Sequence, residues 1–175
     1  MAFKSPGKLI GQLKQPQYTL LKSLTEEQPL DAGSLQATIN DVVNGRFALA
    51  RGLIEAAKTL ADNENPLVRR SAVSRAYYGA YHAARAMVFA IRRHDEDDHD
   101  KLAQAVDSIL EGRVAVGAVL KNLRRLRNEM DYSPFPGPDP RTQYDAQEID
   151  TLITQSLQQA DELVGTFERH LQERK

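Results

Sequence analysis

A chain of 175 residues, 41% hydrophobic and 27% charged, is long enough for one domain with a proper core and too short to expect two. It has no cysteine, which excludes disulfides and thiolate metal sites, and its net charge of −1 argues against a general nucleic-acid coating protein. No apolar run approaches the ~20 residues needed to span a bilayer and no signal-peptide pattern follows Met1, so a cytoplasmic protein without membrane contact is expected.

Residues 1–33 contain Pro6, Pro16 and Pro29 and only short apolar runs such as Tyr18–Leu21, which predicts a partly ordered N-terminal arm with at most one helical turn. The domain proper is expected over 34–175. From Ser34 the apolar residues Ile39, Val42, Val43, Leu49, Ala50, Leu53, Ile54, Ala57 and Leu60 keep the three-four spacing of a helix. Asn44-Gly45 interrupts it and is expected to bend that helix or divide it in two. Asn63 to Pro66 closes it.

The stretch from Pro66 to Arg93 has no breaker after its first residue and predicts the central helix. Small residues line one side (Ala72, Ala76, Gly79 or Ala80, Ala83, Ala86 or Met87, Ala90), so another helix can approach closely there. A second stripe carries Arg75, Tyr78, His82, Arg85 and Phe89, which places polar groups at the edge of a buried face where they need partners. Six arginines and no acid occur in this stretch, an imbalance to be answered elsewhere in the chain or by a ligand.

Residues 94–100, HDEDDHD, hold five acids and two histidines. They lack the glycine-punctuated spacing of a calcium loop and fit no zinc pattern, so the expectation is a solvated charged loop, one aspartate capping the next helix, its acids answering Arg92 and Arg93, with no metal and no cofactor. A short third helix is predicted from about His99 to Leu110 with Leu102, Val106, Ile109 and Leu110 inward, ended by Gly112. A fourth is predicted over Val114 to Met130 with Val116, Leu120, Leu123, Leu126 and Met130 on one face. Proline at every second position from Pro134 to Pro140 then excludes helix and predicts a stiff extended loop. Asp145 with Glu148 has capping-box spacing and opens a last helix whose apolar face runs through Ile149, Leu152, Ile153, Ser156, Ala160, Leu163, Val164, Phe167 and Leu171. No segment alternates with period two. The fold class is all-α, an antiparallel four-helix bundle with an additional short helix. Leu152, Phe167, Leu123, Ala76 and Ala83 are expected in its core.

Charge is distributed unevenly. Arg113–Arg127 carries five basic residues and no acid, whereas residues 141–175 hold seven acids against four basic residues. Either the last helix neutralises the arginines or the two basic helices share a face that meets phosphate.

The segments SRAYYGAYHAARA (74–86), DHDKL after the acidic loop and LRNEMDY (126–132) together resemble the HEPN superfamily, the higher eukaryotes and prokaryotes nucleotide-binding domain, over roughly residues 35–172. The resemblance is to a small prokaryotic branch whose fourth helix ends in an arginine, three residues, then Asp-Tyr, which Arg127, Asp131 and Tyr132 match. HEPN ribonucleases carry an arginine, four to six residues, then histidine. The resemblance implies that such pairs meet across a homodimer and cleave RNA without metal. Arg127-Asn128 matches the first half of that motif here, but positions 132, 133 and 134 hold Tyr132, Ser133 and Pro134, so the imidazole is missing.

The chemistry follows from those residues. Cleavage by attack of the 2′-hydroxyl needs a base, an acid and positive charge on the phosphate, and a phenol, with an ordinary pKa near ~10, makes a poor base. The expected role is therefore an RNA- or nucleotide-associated module without ribonuclease activity. Arg127, Asn128, Arg124, Arg75 and Arg85 are its candidate phosphate contacts. The alternative for the same residues is a structural polar network of Arg75, Tyr78, His82, Asp131 and Tyr132, with Arg127 or Arg75 paired to Asp131. His82 either replaces the missing base, if the fourth helix lies alongside, or is a hydrogen-bonded core histidine. Two further readings stand beside this one: a metal-independent endoribonuclease toxin using Arg127 with Tyr132 or His82, and an interaction protein partnering a nucleotidyltransferase or an antitoxin.

Overall fold

The computed structural model describes Gly11, residues 13–15 and 17–19, Lys22, and residues 32–111, 115–139 and 142–174. The expected stop at Gly112, the start of the fourth helix at Val114, and Arg113, Pro6, Pro29 and Pro140 lie outside the described residues. All regular secondary structure among the described residues is helical: α1 (Ala32–Ala61), α2 (Pro66–Arg92), α3 (His99–Ile109), α4 (Val116–Tyr132) and α5 (Ala146–Gln172). Before them, Gln15, residues 17–19 and Lys22 are helical, and the Tyr18 N–H donates to the Lys14 carbonyl at 3.0 Å. No helix among the described residues is long and apolar enough to cross a membrane.

α2 packs against all four other helices. Asn65 caps its N-terminus, its side chain accepting from the Leu67 N–H at 3.0 Å, and Pro66 takes the first helical position, where its missing N–H costs nothing. The helix stops at Arg93, which turns left-handed at φ 59°. Ala72, Ala76, Ala80, Ala83 and Ala86 of the small-residue stripe are wholly buried, and so is Ala84 beside them, while Ala90 at the end of the stripe is half-buried. The closest approach is to α1. A Cβ on Gly79 would lie 3.0 Å from the Ala50 carbonyl oxygen and 2.8 Å from Ile54 Cγ1. Replacing the buried Ala83 by leucine is expected to overpack this core and cost about 1–3 kcal/mol, read as a drop in denaturation midpoint at constant m.

α1 is one helix of 30 residues, not two. Gly45 is solvent-exposed, and the buried Val43 and Phe47 on either side carry the helix through it. The inward stripe is Ile39, Val43, Phe47, Ala50, Ile54 and Ala57, whereas Leu49 is 48% exposed. Leu49 is two positions from Phe47, about 200° around the helix, so the two cannot share a face.

Polar groups at the helix ends fix how the elements meet. Arg69 near the start of α2 donates to the Ala61 carbonyl at the end of α1 (3.1 Å) and pairs with Asp150 of α5. The next residue, Arg70, donates to the Met130 and Ser133 carbonyls, satisfying acceptors that the end of α4 leaves open. The start of α2 therefore lies against the ends of both α1 and α4. α4 runs two residues further than expected, to Tyr132, because Arg70 caps it there and Arg127 and Asp131 pair along its last turn. Ser133, held extended (φ −83°, ψ 126°) by the following proline, ends it.

α3 is capped by Asp98, which accepts from the Asp100 and Lys101 N–H groups, both at 2.9 Å. Asp107 of the same helix accepts from the Gly117 N–H (2.7 Å) and so caps α4. α5 has the expected capping box, with Asp145 and Glu148 bonded reciprocally at 2.8 Å. Phe167, Leu123, Ala76 and Ala83 are buried, but Leu152 is only half-buried; the adjacent Ile153 points into the core instead. The proline-rich segment bends back rather than running straight: Pro136 is buried, the Gly137 N–H donates to Glu129 Oε1 (2.7 Å), and the Tyr144 N–H donates to the Pro136 carbonyl (2.8 Å).

Candidate functional site

Two polar clusters occupy the buried edge of α2. The first surrounds Asp95, which is 4% exposed. Arg85 forks onto its carboxylate (Nε to Oδ1 3.1 Å, with Nη2 on Oδ2), and Arg46 of α1 reaches Oδ1 at 2.9 Å while stacking over Phe89. Arg46 also donates to the Gly11 carbonyl (2.6 Å), the Asp95 N–H donates to the Leu13 carbonyl (2.8 Å), and Lys14 pairs with Asp97 (2.8 Å). The acidic loop is thus solvated only in part: Asp97, Asp98 and Asp100 are exposed as expected, whereas Asp95 is buried and acts as a structural clamp. Its acids answer Arg85, Arg46, Lys14 and, through Asp100, Arg124 (3.2 Å), rather than the expected Arg92 and Arg93. Among the described residues α5 answers one arginine of α2, Arg69, so neutralisation comes chiefly from the acidic loop and from pairs within α4.

His82 belongs beside this first cluster. Its ring meets Tyr81 edge-on at 5.4 Å. Burial, then the Arg85 and Arg46 guanidiniums, push its pKa from the ordinary 6.5 down to about 4. The fold therefore favours the neutral ring, and an unfolded chain binds a proton that the folded chain refuses. Stability from this group is present above pH 6.5, falls as the pH drops below that value, and is fully lost below about 4. The expected loss is on the order of 2 kcal/mol after allowance for water at a half-buried ring. Urea unfolding at stepped pH, wild type against His82→Gln, measures it.

The second cluster centres on Arg127, whose side chain is 18% exposed. Its Nη2 donates to Tyr78 Oη of α2 (3.0 Å) and its Nη1 to Asn128 Oδ1 (2.8 Å). Nε lies 3.1 Å from Asp131 Oδ2, but its N–H is not aimed along that line, so this is an ion contact without a hydrogen bond. The guanidinium sits over two rings, 5.3 Å from the Tyr78 centroid and 5.0 Å from that of Tyr132, within cation–π range of both. Tyr132 is 70% exposed. Of five guanidinium N–H groups, two are spent on hydrogen bonds, leaving donors for an external acceptor.

The structure therefore brings together Arg127, Asn128, Asp131, Tyr132 and Tyr78, and sets Arg124 one turn earlier on the same helix. It does not join His82 or Arg85 to them. Arg75 is exposed and has no ion-pair partner among the described residues; Asp131 pairs with Arg127. Replacing Asp131 by alanine breaks only a surface-edge pair and is expected to cost under about 1 kcal/mol, checked by thermal denaturation.

Three residues that the sequence reading passed over lie between the clusters. His99, the first residue of α3, shares a hydrogen bond between its Nδ1 and the Tyr77 hydroxyl and stacks against Tyr81 at 4.6 Å. The Tyr81 hydroxyl donates to the Asp97 carbonyl at 2.9 Å. Burial raises both phenols above their ordinary pKa, so both stay protonated. The available signal was Tyr77 and Tyr81 themselves: two hydroxyls one turn apart in an alanine-lined face each need a partner. No family model matches this chain, and no curated protein matches it either.

Proposed function

We propose that the chain is a HEPN-like antiparallel four-helix bundle with an additional short helix, acting as an RNA- or nucleotide-associated module that does not cleave its ligand. The observation that supports this is the Arg127 guanidinium held at the edge of the fold between Tyr78 and an exposed Tyr132, with N–H donors to spare. Such an arrangement suits a phosphate on the cation and a base on the outer ring. The group next to the arginine is a phenol, a donor and stacking surface rather than a general base. His82, the other candidate base, sits in the Asp95 cluster.

The reading is tested with labelled single-stranded RNA in EDTA. Wild type is expected to bind without cutting, with affinity that falls as salt rises; Arg127→Ala abolishes binding, and Asp131→Ala leaves it intact or strengthens it because a competing carboxylate has gone. Metal-independent cleavage lost in both Arg127→Ala and Tyr132→Phe would instead install the endoribonuclease toxin. The same reading carries a homodimer, with a two-fold contact near α4 that leaves the Tyr132 ring open. Sedimentation equilibrium is expected to show dimer at micromolar concentration, and a monomer at ~100 µM counts against it.

A further inference from the structure

The Tyr77–His99 pair has a defined proton arrangement. Tyr77 is 3% exposed, and its hydroxyl has no hydrogen-bond partner among the described residues other than His99 Nδ1. If Nδ1 carried the proton and Tyr77 accepted it, the phenolic hydrogen would be buried without an acceptor, at a cost the fold avoids when Tyr77 donates. Nδ1 is therefore the acceptor, and a neutral ring then carries its hydrogen on Nε2. Burial and the Arg124 guanidinium, then Arg127, hold the His99 pKa below its ordinary 6.5 against the opposing pull of Asp98 and Asp100, so the ring is neutral at pH 7. Nε2 has no partner among the described residues and is not sealed from solvent.

The surroundings say what such a donor faces. Arg127 bonds Tyr78, whose ring lies 5.2 Å from that of Tyr77, and Tyr77 holds His99. Arg124, one turn before Arg127, pairs with Asp100, the residue after His99. Two guanidiniums and one imidazole N–H thus collect where α2, the start of α3 and α4 meet. Arg124 donates to Asp100 through Nη1, and Arg127 spends two of its five N–H groups on Tyr78 and Asn128, so both keep free N–H groups.

We propose that Tyr77, His99, Arg124 and Arg127 form a receptor for a backbone phosphate of a single RNA strand, in which His99 acts as a neutral hydrogen-bond donor through Nε2, its tautomer set by Tyr77. This inference rests on the RNA-associated reading above and adds a second helix junction to it. It also gives the imidazole a role opposite to that of a catalytic base, since a ring whose Nε2 already carries the hydrogen cannot take a proton there.

Two measurements test it. Long-range proton–nitrogen NMR of uniformly labelled wild-type protein reads the His99 tautomer directly, without any substitution. An Nε2–H ring at pH 7 is expected, with the preference lost in Tyr77→Phe; an Nδ1–H ring in wild type overturns the proposal. Fluorescence anisotropy with a labelled single-stranded RNA of about 12 nucleotides, a length within the span of common single-strand sites, then reads the receptor. His99→Ala is expected to weaken binding about fivefold, as for one neutral hydrogen bond, and Arg124→Ala about tenfold or more, as for a charge-assisted one. Circular dichroism confirms that each variant is folded. Binding that needs Arg127 but ignores His99 and Arg124 overturns this receptor and leaves the RNA-associated reading standing. No RNA binding by wild type removes both, and an Nε2–H ring would then mark a structural pair only.

Discussion

Asp95→Ala is expected to destabilise the protein by about 3–5 kcal/mol, the range for removing one partner of a buried ion pair. Asp95 is 4% exposed and lies between the Arg85 and Arg46 guanidiniums, themselves only 18% and 13% exposed. Without the carboxylate, two cations face each other in a site with little water, and neither can lose its proton at any ordinary pH. The substitution leaves the Asp95 N–H to Leu13 bond in place but removes the charge that orients Arg46, which in turn holds Gly11. Asp95→Asn keeps one good acceptor and should fall between the two. The control is Arg51→Ala, which breaks an ion pair with Glu168 on a side chain 59% exposed and should cost under about 1 kcal/mol. Guanidinium unfolding of the three variants at pH 7 measures all of this, and equal losses for Asp95→Ala and Arg51→Ala would show that the acidic loop is not a clamp.

The helices were legible because their apolar residues recur with the right period and their ends carry capping chemistry. Asp145 with Glu148, Asp98 before α3 and the alanine stripe of α2 all behave as their residue types dictate. What misled was local and weak. Asn44-Gly45 has the composition of a break, yet an exposed glycine costs a helix only about 1 kcal/mol, and Val43 and Phe47 bury enough surface to outweigh it. Leu49 and Leu152 were assigned inward with the three-four pattern, but Phe47, absent from that pattern, and Ile153, part of it, hold the inward positions.

The site was legible in part for a different reason. Arg127 and Asp131 are four apart on one helix, so their pairing follows from spacing. The Tyr78 contact needs only that α2 and α4 be neighbours. The links that cross between distant segments were not readable: Asp95 to Arg46, Arg70 to the end of α4, Tyr77 to His99. Each joins residues that no periodicity relates, and a run of acids looks the same in sequence whether it faces water or two buried arginines. The unmatched arginines of α2 did state the problem correctly, since six cations without an acid required partners from elsewhere.

Gly117→Ala is the second large effect expected, about 2–4 kcal/mol. The glycine is buried in the first turn of α4, where α3 crosses it, and its N–H donates to Asp107 at 2.7 Å. An added Cβ would lie 2.7 Å from the Ala103 carbonyl oxygen and equally close to the Asp107 carboxyl carbon. The carbonyl belongs to the backbone of α3 and cannot rotate away. Either the two helices separate, exposing Val106 and Leu120, or Asp107 swings out and α4 loses its cap. Overpacking against a fixed group costs about 1–3 kcal/mol and a lost cap about 1 kcal/mol more. Asp107→Ala separates the two contributions, because it removes the cap and also the nearest obstacle. In an Asp107→Ala background the further change Gly117→Ala should cost less than it does alone, leaving only the clash with the Ala103 carbonyl. A double-mutant cycle by chemical denaturation reads that coupling, expected at about 1 kcal/mol or more for groups in direct contact. Additive losses would mean that the carboxylate and the glycine do not share the space between α3 and α4. Because α3 also begins with His99, any separation of the two helices should disturb the His99 ring signals in NMR before the protein unfolds.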